Sequence, residues 1–382
     1  MARQTAISIN TIPIGPLGII GMPGCEELTD KIDKYLVKWR RTQASEHAES
    51  IAFFGYQRDT YKIDVSIPRF GSGRGYDIYI VCDVFNYSCS YDMYGRKVYM
   101  SPDDHFADLK RVISALCSKP KRVSVIMPML YEGRQHKRSS RESLDCAMAL
   151  KELVHLGVEN IITFDAHDQR VQNAIPDKSF ENVMPTYQMI KALVNNVEDL
   201  NVDKDHLMII SPDEGALHRC IYFATQLGVN LGMFYKRRDY TRVVNGRNPI
   251  VEHQYLGDSV KGKDIIIVDD MISSGESMLE VAMKLKNLGC GRIFVCTTFG
   301  LFCNGLDVFD KAYKDGVFYR VFTTNGVYQP QELLDREWYV SVELSKYAAY
   351  LIDTLNHDMS VSSLLDSSAK IDTLLKNKGL KD

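Results

Sequence analysis

The sequence predicts an α/β protein built from mostly parallel sheets with helices on both faces. Two observations carry this. Short runs rich in β-branched and apolar residues alternate with amphipathic helical patterns along the chain. Several of those runs, IIIVDD and LMIISPDE among them, are apolar throughout and turn polar only at their C-terminal end. A strand with no polar face must be covered on both sides, and strand, helix, strand in alternation is the order of parallel crossovers. In such sheets ligands gather at the carboxyl ends of the strands.

Taken in order, a strand over 17–22 leads into a helix over 26–39, and a strand over 122–127 into a helix over 143–155. A strand over Asn160–Phe164 follows, then a strand over 206–210 with a helix over 215–227. A strand over 264–268, a helix over 277–288 and a strand over 292–299 complete the clear elements. The stretch 86–104 breaks the rhythm with tyrosines, Gly-Arg-Lys and a Ser-Pro-Asp-Asp turn, and reads as a long loop or an inserted ribbon. The polar, Lys-rich end 360–382 reads as a short helix with a frayed end.

At 382 residues the chain suits two domains, expected over 1–183 and 184–382. Hydrophobic residues at 45% and charged residues at 25% exclude a disordered chain. The 46 Lys and Arg balance 49 Asp and Glu, so there is no global attraction to nucleic acid or anionic lipid, and any phosphate site must be local. The nine cysteines stand singly, without a CxxC pair, as in a reduced compartment. Asn10, Pro13 and Pro16 interrupt the apolar start, and no apolar run is long enough to span a bilayer. These features lead us to expect a soluble, cytoplasmic protein without a membrane or nucleic-acid partner.

The most informative segment is IIIVDDMISSGES, 265–277, where a buried strand delivers two adjacent carboxylates and then a small-residue turn that opens a helix. Ser273, Ser274, Gly275 and Ser277 lie where the backbone can curl around an anion, with hydroxyl donors and the free amides of a helix start. Asp269 and Asp270 repel a phosphate beside them and suit neutral donors, such as the two hydroxyls of a ribose, or a magnesium ion that the hydroxyls share. The plainer alternative is that the acids cap a strand and the turn starts a helix; the strand, acid pair and turn in register favour the ligand reading.

Four other segments follow or precede buried strands: YEGRQHKR over 131–138, IITFDAHDQRVQ, IISPDEGALHR over 209–219 and MFYKRRDYTR. Judged on composition, the first and last are also ordinary solvated basic turns.

Together these motifs resemble the ribose-phosphate diphosphokinases (PRPP synthetases). The segment IIIVDDMISSGES is similar to the PRPP-binding signature that this family shares with phosphoribosyltransferases, and the other segments resemble motifs of the synthetases alone. The resemblance implies two phosphoribosyltransferase-like domains, ATP bound by the first and ribose 5-phosphate by the second. It assigns Arg134 and Gln135 to ATP, and His167 and Asp213 to a magnesium site. Asp213, Asp269, Asp270, Ser273, Ser274, Gly275, Glu276 and Ser277 fall to ribose 5-phosphate, and Lys236, Arg238 and His167 to catalysis. The implied activity moves the terminal diphosphate of ATP onto ribose 5-phosphate in a homo-oligomer built from dimers, within hexamers or filaments. HDMSVSSLLD, with Ser360, Ser362, Leu364 and Leu365, resembles the family's C-terminal serine segment. Departures are His136 in place of an Asp, and Glu214, Ala216, Leu217 and His218. Two other readings are a non-catalytic regulatory homologue, which should have lost these cations and carboxylates, and a phosphoribosyltransferase, which should be a single domain.

Overall fold

The computed structural model describes residues 12–43, 52–54, 57–58, 65–66, 73–116, 118–138, 140–238 and 250–381, with the backbone alone for 41–43, 52–54, 57–58, 65–66, 236–238 and 250–253. The chain divides into two compact units. Unit 1 comprises Met1–Met184, Asn325–Tyr328 and Glu343–Asp366; unit 2 comprises Pro185–Thr324, Gln329–Val342 and Ser367–Asp382. A single cut between 183 and 184 therefore misses two returns of the chain to unit 1.

Unit 1 runs β1 (Leu17–Gly21), α1 (Glu26–Gln43), β2 (Ala52–Phe54), β3 (Gln57–Arg58), β4 (Val65–Ser66), β5 (Asp77–Val81), β6 (Ser90–Met93) and β7 (Arg96–Tyr99). It continues with α2 (Pro102–Ala115), β8 (Arg122–Ile126), α3 (Asp145–His155), β9 (Asn160–Phe164), a 3-10 turn (Gln169–Ala174) and β10 (Ser179–Val183). Six strands form one parallel sheet in the order β10-β9-β8-β5-β1-β2. Every residue of β1, β5 and β9 is buried, as apolar strands covered on both faces must be. The 86–104 stretch resolves into the antiparallel ribbon β6–β7, followed by α2. Ser101 opens that helix with a reciprocal cap: its Oγ accepts the Asp104 N–H at 3.2 Å, and the Asp104 carboxylate accepts the Ser101 N–H at 2.9 Å.

Unit 2 runs α4 (Thr186–Asn196), β11 (Leu207–Ser211), α5 (Leu217–Leu227), β12 (Asn230–Arg238), β13 (Ile250–Leu256), β14 (Asp264–Ile272), α6 (Glu276–Asn287) and β15 (Ile293–Gly300). It continues with α7 (Asp307–Lys314), β16 (Arg320–Thr324), α8 (Gln331–Leu334) and β17 (Tyr339–Val342). Its seven strands lie in the order β13-β12-β11-β14-β15-β16-β17, parallel except for β12–β13. Then α9 (Ser345–Asn356) and α10 (Ser362–Leu365) belong to unit 1, and α11 (Ser368–Asn377) to unit 2. The C-terminal stretch thus forms two helices where one was expected. No helix among the described residues is long and apolar enough to cross a membrane.

The return of α9 to unit 1 has a polar cause. Asp77, fully buried at the start of β5, is held by both arms of Arg122 at 2.8 and 2.7 Å and by Asn356 Nδ2 at 2.9 Å. Arg40 donates to Asn356 Oδ1 at 2.8 Å, and Trp39 of α1 stacks on Tyr350 with ring centres 4.3 Å apart. Losing Arg122 would leave a buried charge uncompensated, and losing Asn356 would cost that charge a hydrogen bond, so this helix cannot leave without cost to the sheet.

Asp83 supplies a second tie within unit 1. Its Oδ1 accepts the Phe85 N–H at 3.0 Å, and its Oδ2 accepts the Tyr328 N–H at 2.7 Å. Burial outweighs these donors and lifts its pKa from 3.8 to about 7. Below 3.8 both the folded and the unfolded chain hold this proton. Between 3.8 and about 7 only the folded protein holds it, so stability falls as pH rises across that window and levels off above it. The loss should be on the order of 4 kcal/mol in wild type and absent from Asp83→Asn. Urea unfolding of both proteins from pH 4 to 8 checks this: parallel pH dependences would remove Asp83 as the cause.

Candidate functional site

In unit 2 the chain leaves β11 through α5 towards β12, and leaves β14 through α6 towards β15, in the opposite direction. The crevice between β11 and β14 is therefore where the strand order reverses, the place at which open α/β sheets bind ligands. Asp213 follows β11, and Asp269 through Ser277 close β14 and open α6.

Asp213 Oδ1 accepts the N–H groups of Gly215 at 2.9 Å and Ala216 at 3.2 Å, so one carboxylate oxygen shapes the turn into α5. Asp269 and Asp270 lie inside β14, which continues four residues beyond the expected end at 268 because it still pairs with β15, Asp269 opposite Thr297. Asp269 Oδ1 accepts the Asp270 N–H at 2.8 Å. The Asp269 carboxyl is raised well above the ordinary carboxylate range, first by burial and then by Asp270 beside it; Arg219 opposes the rise and Asp213 adds to it. A hydroxyl donor or a cation arriving here relieves an existing strain in charge.

The turn after the acids is shaped by Gly275. It caps α6 at φ +85°, and a Cβ at this position would meet the Phe309 ring at 2.3 and 2.4 Å. Phe309 stacks on Trp338, whose indole N–H donates to Asp310 at 2.7 Å. The neighbouring loop braces the turn: Cys303 N–H donates to Ser273 O and Leu301 N–H to Ile272 O, both at 2.9 Å, and Asn304 Nδ2 donates to Glu276 at 3.3 Å. Ser273 and Ser274 are half-buried, while Glu276 and Ser277 are exposed at the helix start. First-turn amides, hydroxyls and a left-handed glycine together suit a phosphate monoester; the Glu276 N–H faces Ser274 Oγ at 3.5 Å.

Lys236 and Arg238 lie in β12, opposite His253 and Ile250, with a bulge between Arg237 and Arg238. Their side chains, and 239–249 after them, lie outside the described residues.

Unit 1 brings together the other expected residues. The 131–138 loop is anchored by Tyr131, which stacks on Phe106 with ring centres 4.3 Å apart and donates its hydroxyl to Asp103 at 2.7 Å. Gln135 Nε2 donates to Ser143 O at 2.9 Å, and Arg134 is exposed. His136 reaches from this loop to the one after β9: its Nε2 is 3.3 Å from Asp168 Oδ2, and its ring centre is 5.3 Å from that of exposed His167. Asp168 is held far below the usual carboxylate range by Arg170, whose Nε lies 2.9 Å from its Oδ1. Asp165 takes φ +43° to turn the chain after β9, and Asn182 Oδ1 accepts the Ala166 N–H at 2.8 Å.

His167 belongs to unit 1 and Asp213 to unit 2. Among the described residues no three His, Cys, Asp or Glu side chains converge on a metal position. Phosphate-bound magnesium needs only one or two protein carboxylates, so the oxygens of Asp213, Asp269 and Asp270 fit that role and a protein cage does not.

The sequence reading gave no role to Arg219, which faces the acid pair, or to Cys303 and Asn304, which hold the turn. Arg219 belongs to the segment IISPDEGALHR, and its signal is a cation in the first turn of the helix that follows Asp213. Cys303 and Asn304 have no local signal, because their partners are about 30 residues away.

The N-terminal domain of ribose phosphate pyrophosphokinase matches residues 18–157, and the phosphoribosyl transferase domain matches 178–330. A ribose-phosphate pyrophosphokinase of Vibrio parahaemolyticus is 25% identical over 318 residues, covering 79% of this chain and 91% of that protein. One from Chlorobaculum tepidum is 25% identical over 306 residues, covering 80% and 84%. In fold the chain is similar to the phosphoribosylpyrophosphate synthetase of Mycobacterium smegmatis, with a TM-score of 0.71 at 18% identity, covering 90% of this chain and 99% of that one. Two phosphoribosyltransferase-like domains in the order of these matches place the chain in the ribose-phosphate pyrophosphokinase family.

Proposed function

We propose that the protein transfers the diphosphoryl group of ATP to the anomeric hydroxyl of ribose 5-phosphate, giving 5-phosphoribosyl 1-diphosphate and AMP. The observation that carries this is the pair of half-buried Asp269 and buried Asp270 joined to the Ser273–Ser277 helix entrance at the strand reversal of unit 2. That arrangement suits a small molecule with hydroxyls at one end and a phosphate monoester at the other.

In this reading the amides and hydroxyls of Ser273, Ser274, Gly275, Glu276 and Ser277 hold the 5-phosphate, and Asp269 and Asp270 accept from the ribose hydroxyls. Arg134 and Gln135 contact the nucleotide. The anomeric oxygen attacks the β-phosphorus in line; the new bond forms as that between the β-phosphorus and the α,β-bridging oxygen breaks, and AMP leaves. Charge grows on the oxygens around the attacked phosphorus, and in this reading Lys236 and Arg238 stabilise it. His167 of unit 1 and Asp213 of unit 2 are each proposed as ligands to magnesium, which would supply electrostatic neutralisation of the triphosphate. The reading carries with it a cytoplasmic, dimer-based homo-oligomer.

Two variants separate the roles, and incubation with ATP, ribose 5-phosphate and magnesium, followed by chromatography for AMP, tests the reaction itself; no AMP from wild type across varied phosphate and divalent ions rejects it. Lys236→Ala should lower kcat by about 100-fold or more with little change in ribose 5-phosphate affinity; near-normal turnover would contradict its role. Asp270→Asn should weaken ribose 5-phosphate binding by about tenfold or more, and an unchanged calorimetric affinity would remove it from the site.

A further inference from the structure

From 127 to 144, between β8 and α3, the described residues form neither helix nor strand. A connection of that length keeps one shape only where contacts hold it to other elements. Tyr131 fixes its root against α2. Past the root, the Gln135 N–H donates to Glu132 O at 2.8 Å and Gln135 Nε2 to Ser143 O at 2.9 Å, both within the same stretch.

His136 leads out of it. Its Nδ1 lies 3.1 Å from Arg134 O, and its Nε2 lies 3.3 Å from Asp168 Oδ2 on the loop after β9. Both are acceptor oxygens, and an imidazole can donate from either nitrogen. Arg134, Lys137 and Arg138 around it are exposed, whereas the side chains of His136 and Asp168 are each only 13% exposed. Solvation of a basic turn would have left the histidine in water with its neighbours. The partner is itself fixed: Asp168 Oδ1 accepts the Arg170 N–H at 2.9 Å, capping the 3-10 turn Gln169–Ala174, and Arg170 Nε lies 2.9 Å from the same oxygen.

We propose that His136 is a positioning residue for the nucleotide: it ties the backbone of Arg134 to Asp168, and so holds the 131–138 loop against the loop that carries His167. This rests on the reading of Arg134 and Gln135 as nucleotide contacts and adds to it a residue that acts through its neighbours. The ring centres of His136 and His167 stand 5.3 Å apart, so the two loops meet at this point. Groups that grip one ligand from two loops must keep their spacing, because a contact displaced by about 1 Å loses much of its worth. His136 sets that spacing from side chains already in place.

The test uses the whole chain as wild type, His136→Ala, His136→Gln, Asp168→Ala and the double variant His136→Ala/Asp168→Ala, with calorimetric titration by ATP and magnesium and with steady-state AMP formation. His136→Ala should raise Kd and KM for ATP about tenfold, while kcat stays within about threefold and KM for ribose 5-phosphate within about twofold, because only the nucleotide loop is released. His136→Gln, which keeps an N–H donor at nearly the reach of Nε2, should recover most of the affinity. In the Asp168→Ala background, His136→Ala should change ATP affinity by about twofold or less, the non-additivity of two residues that act as a pair. Wild type that binds no ATP overturns the functional reading and this inference together. Wild-type binding with a His136→Ala affinity within about twofold overturns this inference alone, as does an undiminished His136→Ala effect in the Asp168→Ala background. A lowered kcat at unchanged KM for ATP, or loss of the folded circular-dichroism spectrum in both His136 variants, overturns it as well.

Discussion

Asp269 and Asp270 put two like charges on consecutive residues of a strand that has a neighbour on each side, where water reaches neither freely. Such a pair is costly unless something compensates it, and the surrounding architecture is arranged around that cost. β11 lies alongside in parallel, so that α5 departs over the acids and carries Arg219 to them. The chain then leaves β14 through a left-handed glycine packed on an aromatic cluster, which sets the first-turn amides of α6 beside the carboxylates. Negative charge on the strand and partial positive charge at the helix start sit one turn apart, which is what a ligand with two unlike ends requires.

Unit 1 has the same kind of sheet but treats its strand reversal differently. There the crossovers diverge between β1 and β5. The ends of those strands close on each other: Asn86 Nδ2 donates to Gly24 O at 3.1 Å, and the Asp83 N–H lies 3.0 Å from Cys25 Sγ. A Cβ on Gly24 would meet Asn86 at 2.2 Å, so no space is left there. The polar loops instead gather after β8 and β9, where His136 joins the Arg134–Gln135 loop to His167 and Asp168. The same architecture thus gathers polar side chains at its reversal point in one unit and packs it shut in the other.

The doubly covered strands were legible because burial on both faces leaves an uninterrupted apolar run, as in Leu207–Ser211 and Asn160–Phe164. The acid pair and the turn after it were legible for the opposite reason, since polar groups there break a strong apolar pattern. What stayed hidden depends on partners distant in sequence. KRRDYTR reads as a solvated turn, yet its first residues complete β12 because β13 pairs with them. The return of α9 rests on Arg40 meeting Asn356 across 316 positions, which no local pattern encodes. His136 showed only as a departure from a motif; its contact with Asp168 exists because two separate strand ends lie side by side.

The path of the chain has a consequence for how the molecule is made. It passes from one unit to the other five times, and α9, which satisfies the buried Asp77 of unit 1, lies beyond nearly all of unit 2. A ribosome therefore delivers the strands of the first sheet long before the helix that completes the hydrogen bonding of Asp77. The nascent amino-terminal half must wait, with part of its polar wiring unfinished, until residues 343–366 emerge. Neither unit can be excised as one continuous piece, so in this protein the domain is a spatial unit and not a genetic one.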